Sequence, residues 1–214
     1  MSLQALLGEV DARGYGEEGA ALDASLAGRA RASALGRRLL ASWLAEGPAA
    51  ALLAPAPGRD PAALARRWTR ARVGALCRDL GVLAFAPMIR AEVRREPVRR
   101  LRAALGNSYL LALDRTVWEG RLASGLQEAA APRFAGALKA ALAAGDDAPL
   151  YALFDAQGRA ELEAWARRRE PALAAWCALL HAPADAAAAW LPEKPVLRVY
   201  THHEARAPAA RGPA

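Results

Sequence analysis

Two residue types, Ala at 58 positions and Leu at 32, fill 90 of the 214 places in this chain, whereas Val, Ile and Thr together supply twelve. Both abundant residues lose little freedom in a helix, and the scarce ones are those that favour a pleated strand. A large sheet is close to excluded, and the composition predicts an all-α fold. Gly and Pro cut the sequence into helix-sized pieces without a period that would announce a solenoid. The expected architecture is a compact bundle of about eight helices with short connections. It forms one helical domain over residues 1–200, followed by a disordered tail over 201–214. A domain of this size hides roughly 70% of the surface its unfolded chain exposes, so disulfide staples are unnecessary.

Apolar spacing sets the expected elements. A first long helix over 20–46 carries Leu35, Leu39, Leu40, Trp43 and Leu44 and ends at Gly47-Pro48. Residues 47–60, rich in Pro and Gly, are the best internal linker, and Asp60-Pro61 suits the start of the next helix. Val73, Leu76, Cys77 and Leu80 follow i, i+3, i+4, i+7 and mark a helix over 61–80, broken by Gly81. Helices follow over 83–96, from Glu96-Pro97 to Gly106-Asn107, over 108–128 as far as Pro132, and over 134–144 as far as Gly145. Asp146-Asp147 reads as a cap for the helix holding Leu150, Leu153 and Phe154. Leu162, Trp165, Leu173, Trp176 and Leu180 share a narrow arc that Pro171 divides into two segments. Residues 192–200 are expected as a lone extended piece. Trp43, Trp118, Trp165 and Trp176 sit on leucine stripes and read as core, while Trp68 and Trp190 are open between core and surface.

No arrangement of side chains announces catalysis. Cys77 and Cys177 lie among apolar residues and read as small core residues of a protein kept in a reducing compartment. Cys177 and His181 are four apart and could pair as thiolate and imidazole on one helix face. A buried thiol with a histidine near a helix C-terminus is the favoured reading. His202, His203 and Glu204 would point apart on an extended chain, so no metal site is expected, and nothing implies a cofactor. A glycine-rich phosphate loop followed by Lys-Ser or Lys-Thr is missing. Apolar runs are too short for a membrane span, and the start lacks a basic segment leading into an apolar one, so the cytoplasm is the expected compartment.

Charge is the feature left over. The chain carries a net +7, and residues 59–102 hold twelve arginines against Asp60, Asp79, Glu92 and Glu96, a local sum of +8. Arg66, Arg67 and Arg70 lie off the apolar stripe of their helix, and Arg90, Arg94, Arg95, Arg99, Arg100 and Arg102 alternate with Ile89, Val93, Val98 and Leu101. These nine are the candidate partner-binding residues. Such a face attracts an acidic protein surface, nucleic-acid phosphates or anionic lipid. The plain alternative is a solvated face laced with pairs to Glu92 and Glu96. A helical nucleic-acid-binding regulator is the rival function. Against it stand the missing helix-turn-helix spacing and the few Asn, Gln, Ser and Thr side chains in the basic segment.

Between Leu76 and Leu113 the Leu80-Gly81 step, the apolar helix ending in Ile89-Arg90, the segment from Arg95 to Leu101, and Leu105-Gly106 followed by Leu110 to Leu113 resemble the SctK family, also called OrgA or YscK. These are accessory cytoplasmic components of bacterial type III secretion systems. The matching stretch covers under a fifth of the chain. The resemblance implies a non-enzymatic adaptor of the sorting platform, the cytoplasmic assembly beneath the injectisome. Its partners would be the cytoplasmic domain of the inner-membrane ring and the pod protein, placing the chain in the cytoplasm and, through those partners, at the inner membrane.

Overall fold

The computed structural model describes residues 7–46, 68–181 and 187–206, and among them there are helices and no strands. After a 3-10 turn at Ala12–Tyr15 come α1 (Gly16–Ala20), α2 (Ala24–Ala32), α3 (Ala34–Glu46), α4 (Arg70–Ala84), α5 (Ala86–Ala91), α6 (Arg95–Leu105), α7 (Asn107–Leu113), α8 (Ser124–Ala144), α9 (Ala148–Arg169), α10 (Pro171–Leu180) and α11 (Glu193–Ala205). The fold is all-α, as the composition requires. None of these helices is long and apolar enough to cross a membrane. The chain clusters into two compact units, Met1–Val73 with Ala166–Asp185 and Gly74–Trp165 with Ala186–Ala214. The expected linker 47–60 lies outside the described residues.

In the first unit, the expected 20–46 helix is two helices, α2 and α3, each started by a polar residue that caps instead of continuing. Asp23 accepts a hydrogen bond from Leu26 N at 2.7 Å, starting α2, and extended Ser33 accepts one from Gly36 N at 2.9 Å, starting α3. Tyr15 is buried, and its hydroxyl donates to the Leu7 carbonyl at 2.6 Å. Trp176 on α10 donates from Nε1 to the Trp68 carbonyl at 2.7 Å, and both rings are buried. Trp68 is thereby assigned to the core, and Arg72 lies over its ring at 4.1 Å. Trp43 is half-buried.

The second unit corrects several expected boundaries. Gly81 does not end its helix: α4 runs through it to Ala84. A β-carbon at Gly81 would lie 1.9 Å from the Phe154 carbonyl oxygen, so the glycine is where the α4 backbone meets α9. Pro132 does not end its helix either, and α8 continues from Ser124 to Ala144. An interior proline costs roughly 3 kcal/mol through its missing N–H and its clash with the preceding turn. Here it sits on the exposed side, and Ala130, Phe134, Leu138 and Ala141 bury the opposite face. Phe134 stacks on Phe85 at 6.0 Å, and Phe85 meets Phe154 and Trp190 edge-on at 5.9 and 5.5 Å. Gly145, with φ of +67°, then ends α8 in the left-handed conformation.

The expected helix over 108–128 is α7 followed by a helix-free stretch over 114–123, and the expected 83–96 helix is only α5, because residues 92–94 are extended. Pro171 divides α9 from α10 as expected. The expected extended piece over 192–200 and tail from 201 are instead α11, whose buried face is Pro195, Val196 and Val199. Residues 207–214 of that tail lie outside the described residues.

Candidate partner-binding surface

Helix α6 is built with two opposed faces. Pro97, Leu101 and Leu105, four apart, are buried, and Arg95, Arg99 and Arg102, at i, i+4 and i+7, are exposed on the other side. At 100° per residue the three arginines fall within about 60° of one another. The Arg102 guanidinium lies 5.4 Å from the Tyr109 ring centroid, which holds its stem against α7. Among the described residues no carboxylate pairs with Arg95, Arg99 or Arg102.

The other candidate arginines do different work. Arg90 is a clasp: Nε donates to the Ala112 carbonyl at 2.6 Å, Nη2 to Trp118 at 2.9 Å and Nη1 to Glu119 at 2.9 Å. Desolvation in that nest lowers its pKa from the ordinary arginine value. Arg100 pairs with Asp147 at 2.6 Å, both three-quarters buried. Arg94 grips Glu92 with two hydrogen bonds, at 2.9 and 2.6 Å, and thereby holds the Glu92 carboxyl down at about 2. In the first unit, Arg70 donates from Nε and Nη2 to the Glu9 carbonyl at 3.1 and 2.8 Å. Arg66 and Arg67 lie outside the described residues. The nine-residue face is thus corrected. Arg70, Arg90 and Arg100 are engaged within the fold because backbone carbonyls and a carboxylate face them, Arg94 is neutralised by its neighbour, and Arg95, Arg99 and Arg102 remain as an exposed cationic stripe.

Two polar sites escaped sequence reasoning. Glu161 and Gln157, one helical turn apart on α9, are both buried. Glu161 accepts from the Gln157 amide at 2.9 Å, from Trp190 N at 2.8 Å and from Leu191 N at 2.9 Å, while the same amide donates to the Ala188 carbonyl. Burial nevertheless raises the Glu161 pKa above the ordinary carboxylate value, because loss of solvent outweighs those donors. The pair pins the segment entering α11; the signal in sequence was two polar residues at helical spacing among apolar ones.

The second site is Asp79, which accepts from the Ser108 hydroxyl and lies 2.8 Å from His203 Nε2. It edges a cavity of about 500 Å3 with Asn107, Asp114, Arg198, His202 and Arg206 along its wall. Because α11 is helical through Ala205, His203 turns inward to Asp79 and His202 turns to the cavity, an arrangement that an extended tail would not form. Ser108 and His203 meet different oxygens of one carboxylate. His181 is the residue that ends α10, with extended backbone, and its N–H donates to the Cys177 carbonyl at 3.1 Å. The Cys77 thiol is pushed up to about 12, chiefly by burial, which keeps it protonated at neutral pH. Among the described residues no group of three or more His, Cys, Asp and Glu could hold a metal ion.

Compared with known proteins, the chain matches no family model, no curated protein and no solved structure.

Proposed function

We propose that this protein is a non-enzymatic adaptor that docks an acidic protein surface onto the stripe of Arg95, Arg99 and Arg102, and that it does so in the sorting platform of a type III secretion system, linking the inner-membrane ring to the pod protein. The observation that carries the docking is the stripe itself: three guanidinium groups on one exposed helix face, with no carboxylate paired to them among the described residues, on a helix whose other face is anchored in the core. Arginines so placed steer an oppositely charged partner and form forked pairs with its carboxylates. The particular assembly rests on the resemblance between Leu76 and Leu113, a stretch that contains α6.

The test is capture of the purified ring cytoplasmic domain and pod protein by the intact chain and by a variant with Arg95→Glu, Arg99→Glu and Arg102→Glu. Loss of capture with an unchanged melting temperature is expected. Unchanged capture by the variant would remove the stripe from the interface, and tight, salt-dependent binding to duplex DNA in place of either protein would favour the nucleic-acid reading.

A further inference from the structure

The cavity of about 500 Å3 beside Asp79 lies between α11 and the segment over 107–117. These run antiparallel: Arg198 Nη1 donates to the Thr116 carbonyl at 2.9 Å, and further along α11 His203 meets Ser108 across the Asp79 carboxylate. Arg198, His202 and Arg206, four apart on α11 and its cap, line one wall over about 12 Å at 1.5 Å per residue. Leu111, Val117 and Val199 add apolar lining between the two ends, and the volume is that of a small-molecule pocket.

The two ends differ in what their polar groups already hold. At the Thr116 end, Arg198 spends one donor on that carbonyl and lies near Asp114, whose carboxyl is held below the ordinary carboxylate value by its Thr116 hydrogen bonds and, more weakly, by Arg198. At the Asn107 end both Asp79 oxygens are engaged, by Ser108 and His203. The Arg206 guanidinium and the Asn107 amide there hold no side-chain partner among the described residues. A guanidinium brings five N–H groups and no lone pair, so this end is left with donors to be met and few acceptors. We infer that the cavity binds a small organic anion, its phosphate or carboxylate oxygens taken by Arg206 and Asn107 and its carbon body lying over Leu111, Val117 and Val199. Forked guanidinium bonds suit such oxygens. An organic cation would leave the donors unmet, and inorganic phosphate would leave the apolar lining uncovered. None of the lining residues belongs to the stripe of Arg95, Arg99 and Arg102, so the site stands independently of the adaptor reading.

The chain has three histidines: His202 reports on the cavity, and His181, in the first unit, serves as a control. The experiment follows their ring carbon–proton NMR signals, assigned with His202→Gln, at fixed pH as phenyl phosphate, benzoate, benzylamine or inorganic phosphate is added to the full chain. At least one of the two organic anions is expected to shift His202 with a dissociation constant of about 1 mM, as befits so small a ligand, and to leave His181 in place. The tighter of the two then names the anionic group. Inorganic phosphate is expected to bind at least about tenfold more weakly than that anion. Arg206→Gln, at an exposed position, is expected to weaken its binding at least about tenfold, and Asn107→Ala is the second variant if circular dichroism finds Arg206→Gln unfolded. Absence of a His202 shift with both organic anions at about 10 mM overturns the inference. So does equal binding of benzylamine or inorganic phosphate, an equal shift of His181, or full affinity in the folded variant.

Discussion

Gly158 of α9 lies so close to Cys77 of α4 that a β-carbon on the glycine would stand 1.6 Å from the cysteine carbonyl oxygen. Gly81 makes the reciprocal contact with Phe154 one turn along, so the two helices cross backbone to backbone in the second unit. The obstacle at both places is main chain, which cannot rotate aside as a side chain can. Gly158→Ala is therefore expected to destabilise the protein by about 3 kcal/mol or more. Gly136, in α8, faces open space, and Gly136→Ala is expected to stabilise it by about 0.5–1 kcal/mol through backbone entropy alone. Urea midpoints of the two variants check the pair, and a mild effect at Gly158 would mean that the crossing is looser than described.

Glu161 gives the protein a pH dependence with a defined sign. Its folded-state pKa is raised, so the folded chain holds this proton more tightly than the unfolded chain. The associated stability is fully present below the ordinary glutamate pKa and is lost as pH rises through the raised value. Glu161→Gln cannot titrate, so the advantage of wild type over this variant is expected to be larger near pH 4 than near pH 7.5, measured by thermal unfolding at both. A difference independent of pH would contradict the assignment. Truncation to Ala would leave Trp190 N, Leu191 N and the Gln157 amide without this acceptor, at about 1–3 kcal/mol for each group left unsatisfied.

Arg90 ties the helix-free stretch over 114–123 to α7, through the Trp118 and Glu119 carbonyls of the stretch and the Ala112 carbonyl of the helix, and Gly120, with φ of +82°, comes close enough that a β-carbon there would lie 2.8 Å from Arg90 Nη1. Arg90→Ala is expected to release that stretch at a cost of about 1–3 kcal/mol. Trypsin should then cut after Arg115 and Arg121 several-fold faster while the core helices stay protected. An unchanged cleavage rate would show that the stretch is held by other contacts.

Arg90 and Arg99 also show where sequence reasoning stops. Both stand in one basic run and alternate with apolar residues in the same way, yet one is a structural clasp and the other an exposed charge. The alternation reports only that an arginine is off the apolar stripe. Whether a carbonyl or water lies opposite depends on which distant segment folds over it, here residues 112–119. Glu161 and His203 were hidden for the same reason, since Trp190 and Leu191 stand 29 and 30 residues from Glu161 and Asp79 stands 124 from His203.

What the amino-acid order determined by itself was the secondary-structure class, from the surplus of Ala and Leu over β-branched residues, together with the helix breaks where local chemistry suffices: Pro171, Gly145 and Gly106. Tertiary structure decided where helices persist through residues that would stop them in isolation. Gly81 stays helical because α9 needs the space above it, Pro132 because Phe134 and Leu138 bury the far face, and residues 193–205 because Val196 and Val199 find a core. Local propensity is worth a few kcal/mol at most, and packing against a distant surface can exceed it. That surface is absent from the linear chain and exists only once the fold has formed.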